Sequence, residues 1–465
     1  MKYWPFIAAL GLAAGCVRFQ PAPLSPDRTA DQLEARSLTN AALRAFLERN
    51  LQREIVPWPP RAWGFETLTL VAFYYHPSLE VARADWRVTV GSIQTASERP
   101  NPTVTWSLAN EPAPDAFSPW IPGLIFDVPV ETAGKRRFRT EQAHHLAESA
   151  RLNLATAAWQ VRSRLRSSLL DFAAARRRIE VLRHQVSLRE DLTGRLQGQL
   201  RQGAISAAEL NTARLALLRA RADLADAERL LAENRPRLAG ALGLPVSALE
   251  PWEFDFDLTV PSSAAALTTG KVRRLALLGR ADLRGALADY AASQSALQLE
   301  VAKQYPDIHL SPGYSWNAGS AGENDWQVGA TVELPLLSHH RGAVAEAVAR
   351  RQASAARFLA LQAKVITEID TALASFHAGT TNVAALEALA AAQADQQKSV
   401  LEQFQAGALD RLDVLAADLE LNAASLSSLD AQVKLQQALG TVEDAVQRPF
   451  ELPPAVFESP RSEAY

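Results

Sequence analysis

The chain has 465 residues but only one cysteine and one methionine, few aromatics (7%) and no excess of either charge, with 48 basic against 51 acidic residues and a formal net charge of −3. A single thiol excludes an intramolecular disulfide framework and any cysteine-rich zinc site. The two signs are interspersed, so no basic field exists for nucleic acid, and no nucleic-acid partner is expected. Eight histidines are present, but His144-His145 and His339-His340 are adjacent pairs, and helical neighbours at i and i+1 face different directions. No HExxH motif or Cys-containing ligand set occurs, so a metal site and a cofactor are both expected to be absent. The stretch Gly134-Lys135-Arg136 lacks the upstream Gly and following Ser or Thr of a phosphate loop, and there is no Gly-x-Ser-x-Gly elbow. Arg176-Arg177-Arg178 lies among dispersed acids and reads as a solvated helix face. No residue cluster supports catalysis.

What is present begins at the amino terminus. Lys2 precedes an apolar stretch, Ile7 to Ala14, that suits an export signal and is too short to span a membrane. Leu12-Ala13-Ala14-Gly15-Cys16 resembles a bacterial lipobox, with Ala13 where that pattern usually has Leu. The resemblance implies cleavage before Cys16, lipidation of its thiol and, with Val17 following, delivery to the outer membrane. The alternative is an ordinary secretory signal with a chance cysteine.

The chain is also written twice. Sliding it against itself by 204 residues aligns Leu79 with Leu283, Trp86 with Tyr290, Pro102 with Pro306, Val161 with Val365, Phe172 with Phe376, and Gly203-Ala204 with Gly407-Ala408. Around Pro129 and Pro335 the offset becomes 206, which places a two-residue length difference in the first connection between the short segments. From about Arg139 to Gln199 the pattern stays helical without proline, roughly 90 Å of helix at 1.5 Å per residue. After Gly203, Leu210, Leu217, Leu224, Leu231 and Leu238 recur every seventh residue, with Ala213, Ala220, Ala227 and Ala241 beside them. The second copy repeats the pattern with Val414, Leu421, Ser428, Leu435 and Val442 against Ala417, Ala424, Ala431, Ala438 and Ala445. This is a heptad seam of close-packed, left-handed coiled helices.

Between the helices the period falls to two. Thr103 to Leu108 alternates, as does Leu124 to Val128 with Asp127 turned away. Ile308, Leu310, Tyr314 and Trp316 oppose His309, Ser311 and Ser315, while Trp326, Val328, Ala330, Val332 and Leu334 oppose Gln327, Gly329, Thr331 and Glu333. Such strands match those of transmembrane barrels, apolar outward and polar inward; the alternative is two surface hairpins of a soluble protein. Four strands cannot close a barrel and open edges cannot face lipid, so several copies must share one. The sequence allows two, three or four.

An exported lipoprotein with a tandem copy of helix, hairpin and long helical pair resembles the TolC-like outer-membrane efflux protein family. The matching stretches are His76-Pro77-Ser78-Leu79, Pro100-Asn101-Pro102, Glu131-Thr132-Ala133-Gly134-Lys135-Arg136, Phe404-Gln405-Ala406-Gly407 and Leu412-Asp413-Val414-Leu415-Ala416. Gly134-Lys135-Arg136 is similar to the CzcC-like heavy-metal branch. The resemblance implies an α+β membrane protein whose protomers trimerise into a twelve-stranded β-barrel continued by a twelve-helix α-barrel. It implies a signal over residues 1–15, an anchor and equatorial segment over 16–65, repeats over 66–243 and 270–447, an equatorial linker over 244–269 and a tail over 448–465. The implied function is a passive exit duct for toxic small molecules or metal cations, docked to a periplasmic adaptor and an inner-membrane pump. A periplasmic coiled-coil adaptor or scaffold is the alternative, although it would carry one long hairpin rather than two in register.

The helical tips are the expected docking residues: Gly203, Ala204, Ile205 and Ser206, with Gly407, Ala408, Leu409 and Asp410. Glycine suits the left-handed end of the incoming helix, and Ser206 or Asp410 suits the cap of the outgoing one. Glu209 and Asp413, three residues on, complete a capping pattern. By the resemblance, Asp413 also aligns with an acidic position at the periplasmic constriction, where copies would form a carboxylate ring. Ala416 stands where the family often has a second acid.

Overall fold

The computed structural model describes residues 18–110, 120–250, 252–254, 256–261, 268–316 and 324–449; Cys16 and the expected export segment lie outside them. Helix α1 (Pro26–Glu34) and α2 (Ala41–Leu51) precede a two-residue strand β1 (Ala62–Trp63). The first repeat follows as α3 (Phe65–Tyr75), α4 (Pro77–Ser97), β2 (Thr103–Asn110), β3 (Trp120–Val130), α5 (Lys135–Arg201) and α6 (Ala207–Leu242). A 3-10 turn (Val246–Leu249) and β4 (Glu253–Phe254) link it to the second: α7 (Thr269–Gly279), α8 (Ala281–Ala302), β5 (Ile308–Trp316), β6 (Asn324–Val332), α9 (Arg341–Gln405) and α10 (Arg411–Val446). No helix among the described residues is long and apolar enough to cross a membrane.

The repeat is geometrical as well as textual. Helices α6 and α10 have 36 residues each, while α5 and α9 have 67 and 65. At 1.5 Å per residue α5 is about 100 Å long, and no proline interrupts it. Strand pairing locates the length difference. Val104 pairs with Phe126, and Ile308, 204 residues beyond Val104, pairs with Val332, 206 beyond Phe126. The second hairpin connection is therefore two residues longer, as the slipped offset requires.

In each repeat the returning helix ends where the short helix begins, so the two stack end to end. Gly243 (φ 71°) and Gln447 (φ 51°), equivalent positions, carry the left-handed caps of α6 and α10. Exposed carbonyls at such helix ends need donors. At the first junction Arg36 donates to Tyr75 O and Gly243 O, both at 2.8 Å. At the second, Arg280 donates to Ala445 O at 3.0 Å and is held by Asp282 and Glu368. The same electrostatic requirement is met by an arginine from a different place in the chain.

The main apolar core lies around this level. Leu38, Leu43, Leu47, Trp63, Leu68 and Val71 from the amino-terminal segment and α3 pack on Leu165, Leu169, Leu238 and Leu242 of the long helices, with Phe254 and Phe256 from the linker. A second core joins α7 to α9 and α10 through Val272, Ala276, Val365, Ile369, Phe376 and Leu439. Strands β1 and β4 pair in parallel within the first core, bringing Trp63 edge-on to Trp252. Of the heptad residues, Leu210, Ala220, Ala227, Leu238, Ala241, Val414, Ala424, Ala431, Leu435, Val442 and Ala445 are buried.

Candidate functional site

The four longer strands form one antiparallel sheet in the order β2-β3-β5-β6. Its register gathers on one face Val104, Trp106 and Leu108; Leu124, Phe126 and Val128; Ile308, Leu310 and Tyr314; Trp326, Val328 and Val332, with Asn110 and Asn324 at the strand ends. Most of these are exposed, Trp326 at 81% and Val328 at 84%. The other face carries Thr103, Thr105, Ser107, Asp127, His309, Ser311, Gln327 and Thr331, together with Ile121 and Ile125. Here His309 Nδ1 lies 3.0 Å from Asp127 Oδ2, and Ser311 donates to Asp127 Oδ1 at 3.4 Å. An exposed apolar face of this extent costs too much in water to stand free, and both outer edges, β2 and β6, lack a partner among the described residues. Strand β6 ends at Val332, so Leu334, expected on its apolar face, falls outside the strand.

The corner from β3 into α5 uses the Glu131 to Arg136 stretch as a clasp. Gly134 takes a left-handed conformation (φ 74°), Thr132 N–H donates to Asp307 at 2.8 Å, and buried Lys135 pairs with Asp307 at 2.8 Å. Arg139 pairs with Glu131 at 2.7 Å and donates to Ala96 O. The motif thus ties the first repeat's hairpin to the start of β5 in the second.

At the far end, both tips turn as expected. Gly203 (φ 78°) and Gly407 (φ 75°) allow Ala204 N to donate to Gln199 O and Ala408 N to Gln403 O, closing each incoming helix. Asp410 accepts from Leu412 N and Asp413 N at 2.7 and 3.0 Å, and Asp413 accepts from Asp410 N at 2.9 Å, a complete capping box. The first copy differs: Ser206 accepts from Glu209 N at 3.3 Å but donates its hydroxyl proton to Glu209 Oε1 at 3.0 Å, so the acid binds the cap side chain instead of the backbone. Ile205 and Leu409 are half-buried, and the remaining tip residues are exposed.

Sequence reading missed a polar ladder that joins the two hairpins along α5 and α10. Near the core, Trp159 and Ser163 donate to Asp444 at 2.9 and 2.6 Å, and burial pushes the Asp444 carboxyl up against those hydrogen bonds and the nearby Arg162 charge. Arg162 pairs with Glu443 at 2.9 Å with both side chains almost fully buried, and stacks on Phe65 and Trp159. Arg166 donates to Gln436 O and Oε1, and Gln436 in turn donates to Leu258 O and Thr259 O in the linker. Lower rungs are Arg178 to Asp430 at 2.6 Å, Asn422 to Val181 O at 3.1 Å and, next to the tip, Arg411 to Asp191 at 3.8 Å. Arg178 is therefore half-buried and paired, a correction to the solvated reading of Arg176-Arg177-Arg178; the other two arginines are exposed. The partners on the two helices stand 220 to 285 positions apart, and no local pattern marks them.

A tandem helix and hairpin protomer with a two-faced sheet at one end and paired coiled tips at the other defines a channel-type protein. The chain belongs to the outer membrane efflux protein family, whose model matches residues 73–244 and 272–446, one match for each repeat. Among characterised relatives, it is 21% identical to the cobalt-zinc-cadmium resistance protein CzcC of Cupriavidus metallidurans over 79% of this chain and 85% of that one. It is 27% identical to the pyoverdine export outer membrane protein OpmQ of Pseudomonas aeruginosa, covering 70% of this chain and 71% of the relative. Among solved structures, the outer-membrane channel OprN superposes with a TM-score of 0.69 at 17% identity, covering 94% of this chain and 99% of that one. The family's members are efflux channels of the outer membrane rather than enzymes, which sets the adaptor alternative aside. The two relatives are named for different cargoes, so the match defines the family and not its heavy-metal branch.

Proposed function

We propose that three copies of this chain assemble into a passive exit duct, with twelve strands closing one barrel in the outer membrane and twelve helices continuing it into the periplasm. The sheet supports this reading: one face is mainly apolar and exposed, the other mainly polar, and neither edge has a partner among the described residues. Backbone edges cannot stay open to lipid, and four strands are too few to close. The apolar face would meet lipid, and the face bearing Asp127 and His309 would line water. An acylated Cys16 adds a second hold on the membrane.

The tips, Gly203 to Ser206 and Gly407 to Asp410, would meet a periplasmic adaptor that links the duct to an inner-membrane pump, since a passive duct carries no energy source of its own. Glu209 and Asp413 serve as caps and, in a closed ring of three copies, would also place carboxylates around the narrow end, favouring cations. The test is extraction and conductance. The duct reading expects a detergent-requiring trimer that opens discrete channels in planar bilayers, and mass spectrometry finding an acylated Cys16 at the mature terminus. A soluble monomer without conductance would overturn it. For the acids, Asp413→Ala and Glu209→Ala should weaken cation preference; unchanged selectivity and resting conductance leave capping as their role.

A further inference from the structure

A groove of about 850 Å³ lies between α5 and α9, floored by α10 and the start of α8. It opens away from α7 and the amino-terminal segment. Val161, Leu165 and Leu169 of α5 pack into the core with that segment, and Val365, Ile369 and Phe376 of α9 with Leu439 and Val442 of α10 pack into the core with α7. The groove is lined instead by Gln160 and Arg164 of α5, Lys364, Thr371 and Ser375 of α9, and Asp444 of α10. Residues three or four apart share a helix face, so the two sets lie on different stripes of the same helices. In a closed ring with the amino-terminal segment and α7 outside, the groove faces the interior of the duct.

The charges of the groove cancel except for one. Arg280 is paired with Asp282 at 2.7 Å and Glu368 at 3.0 Å, and Lys364 stands 3.7 Å from the same Glu368, so two cations meet two carboxylates. Asp444 accepts from Trp159 and Ser163 and lies near Arg162, which with Arg166 and Glu443 forms a buried cluster of two cations and one acid. That cluster's single net positive charge offsets Asp444. Arg164 is left over. It is exposed and makes no ion pair or hydrogen bond among the described residues. Its field reaches His76, whose imidazole is held below the usual range first by burial and then by the Arg164 charge.

Polar groups without an internal partner surround it. Gln160 lies one turn from Arg164 on α5, and Thr371 and Ser375 lie one turn apart on α9; none of the three side chains makes a hydrogen bond among the described residues. The other hydroxyls are engaged, Thr156, Thr367 and Thr441 with carbonyls of their own helices and Ser163 with Asp444. The apolar side chains at the groove, Trp159, Ala372 and Ala445, are buried. We propose that Arg164, with Gln160 beside it and Thr371 and Ser375 across the groove, holds a small hydroxylated organic anion on the wall of the duct. A guanidinium fork matches a carboxylate or a phosphate in bidentate fashion, and the amide and hydroxyls suit the polar remainder. Without exposed apolar surface the hold stays weak, as release into a passive flow requires. This rests on the duct reading and adds to it a class of cargo.

Saturation-transfer NMR on the full-length protein in neutral detergent reads weak binding directly, with citrate and glucose 6-phosphate as probes. At least one should give a signal that falls several-fold in Arg164→Gln and persists in Arg176→Gln, which removes an exposed arginine of the same helix; the stronger of the two names the preferred head group. Sucrose, hydroxylated but neutral, should respond alike in all three proteins. Signals from neither anion, signals unchanged in Arg164→Gln, or an equal loss in Arg176→Gln overturn the site, the last by showing general attraction to positive charge. In planar bilayers under a potassium citrate gradient, Arg164→Gln should move the reversal potential toward cation preference, opposite in sign to Asp413→Ala. Trimers that conduct without that shift overturn the anion's place on the wall and leave the duct standing. A monomer without conductance overturns the duct and with it the cargo, whatever the anions do.

Discussion

Two glycines of the same left-handed conformation carry different loads. A Cβ at Gly203 meets nothing within 4 Å, whereas at Gly243 it would stand 2.8 Å from Tyr75 O and 2.9 Å from His76 Cα, atoms of the backbone. Gly203→Ala should therefore cost only the conformational penalty, about 1 kcal/mol. Gly243→Ala must also push apart the α6 and α4 junction, and should lower the apparent melting temperature markedly more in a side-by-side thermal scan. Asp444 offers a pH signature. Burial raises its pKa in the fold, so its contribution is fully present below the carboxylate's unfolded value, about 3.9, and is lost as pH rises through the folded value. Asn can accept from Trp159 and donate to Ser163 without the charge. Asp444→Asn should match wild type near pH 4 and exceed it at pH 7.5 in apparent melting temperature; an equal difference at both values would deny the buried charge a role.

At the scale of elements, the α5 and α10 ladder grades from buried to half-buried. Glu443 is 2% exposed and lies between Arg162 and Arg166, at 2.9 and 3.6 Å. Removing one partner of a buried pair strands the other, so Glu443→Ala should cost about 3–5 kcal/mol, read by denaturant unfolding. Arg411 and Asp191 form the last rung, 3.8 Å apart and half-buried, and contribute at most about 1 kcal/mol. That makes this rung the one the hairpins can part at without disturbing the core. Arg411→Ala should leave unfolding unchanged while raising resting conductance in bilayers; conductance equal to wild type would show that the tips are held elsewhere. The heptads of α6 and α10 were legible in the sequence because the spacing is local. The ladder was not, because its rungs join residues of different repeats and each rung alone looks like an ordinary surface charge.

For the whole molecule, the sequence by itself determined the repeat, the two periods and the glycine-capped tips, since each follows from rules acting over a few residues: sterics at positive φ, alternation on a pleated strand, recurrence around a helix. It also determined the two-residue slip in hairpin length, which the strand registers reproduce. Only the tertiary structure decided the strand order β2-β3-β5-β6, the choice of Arg36 at one helix junction and Arg280 at the other, and the meeting of Asp127 with His309. Those depend on which surfaces are brought together across hundreds of residues, where burial makes each charge and carbonyl find a partner wherever the chain can supply one.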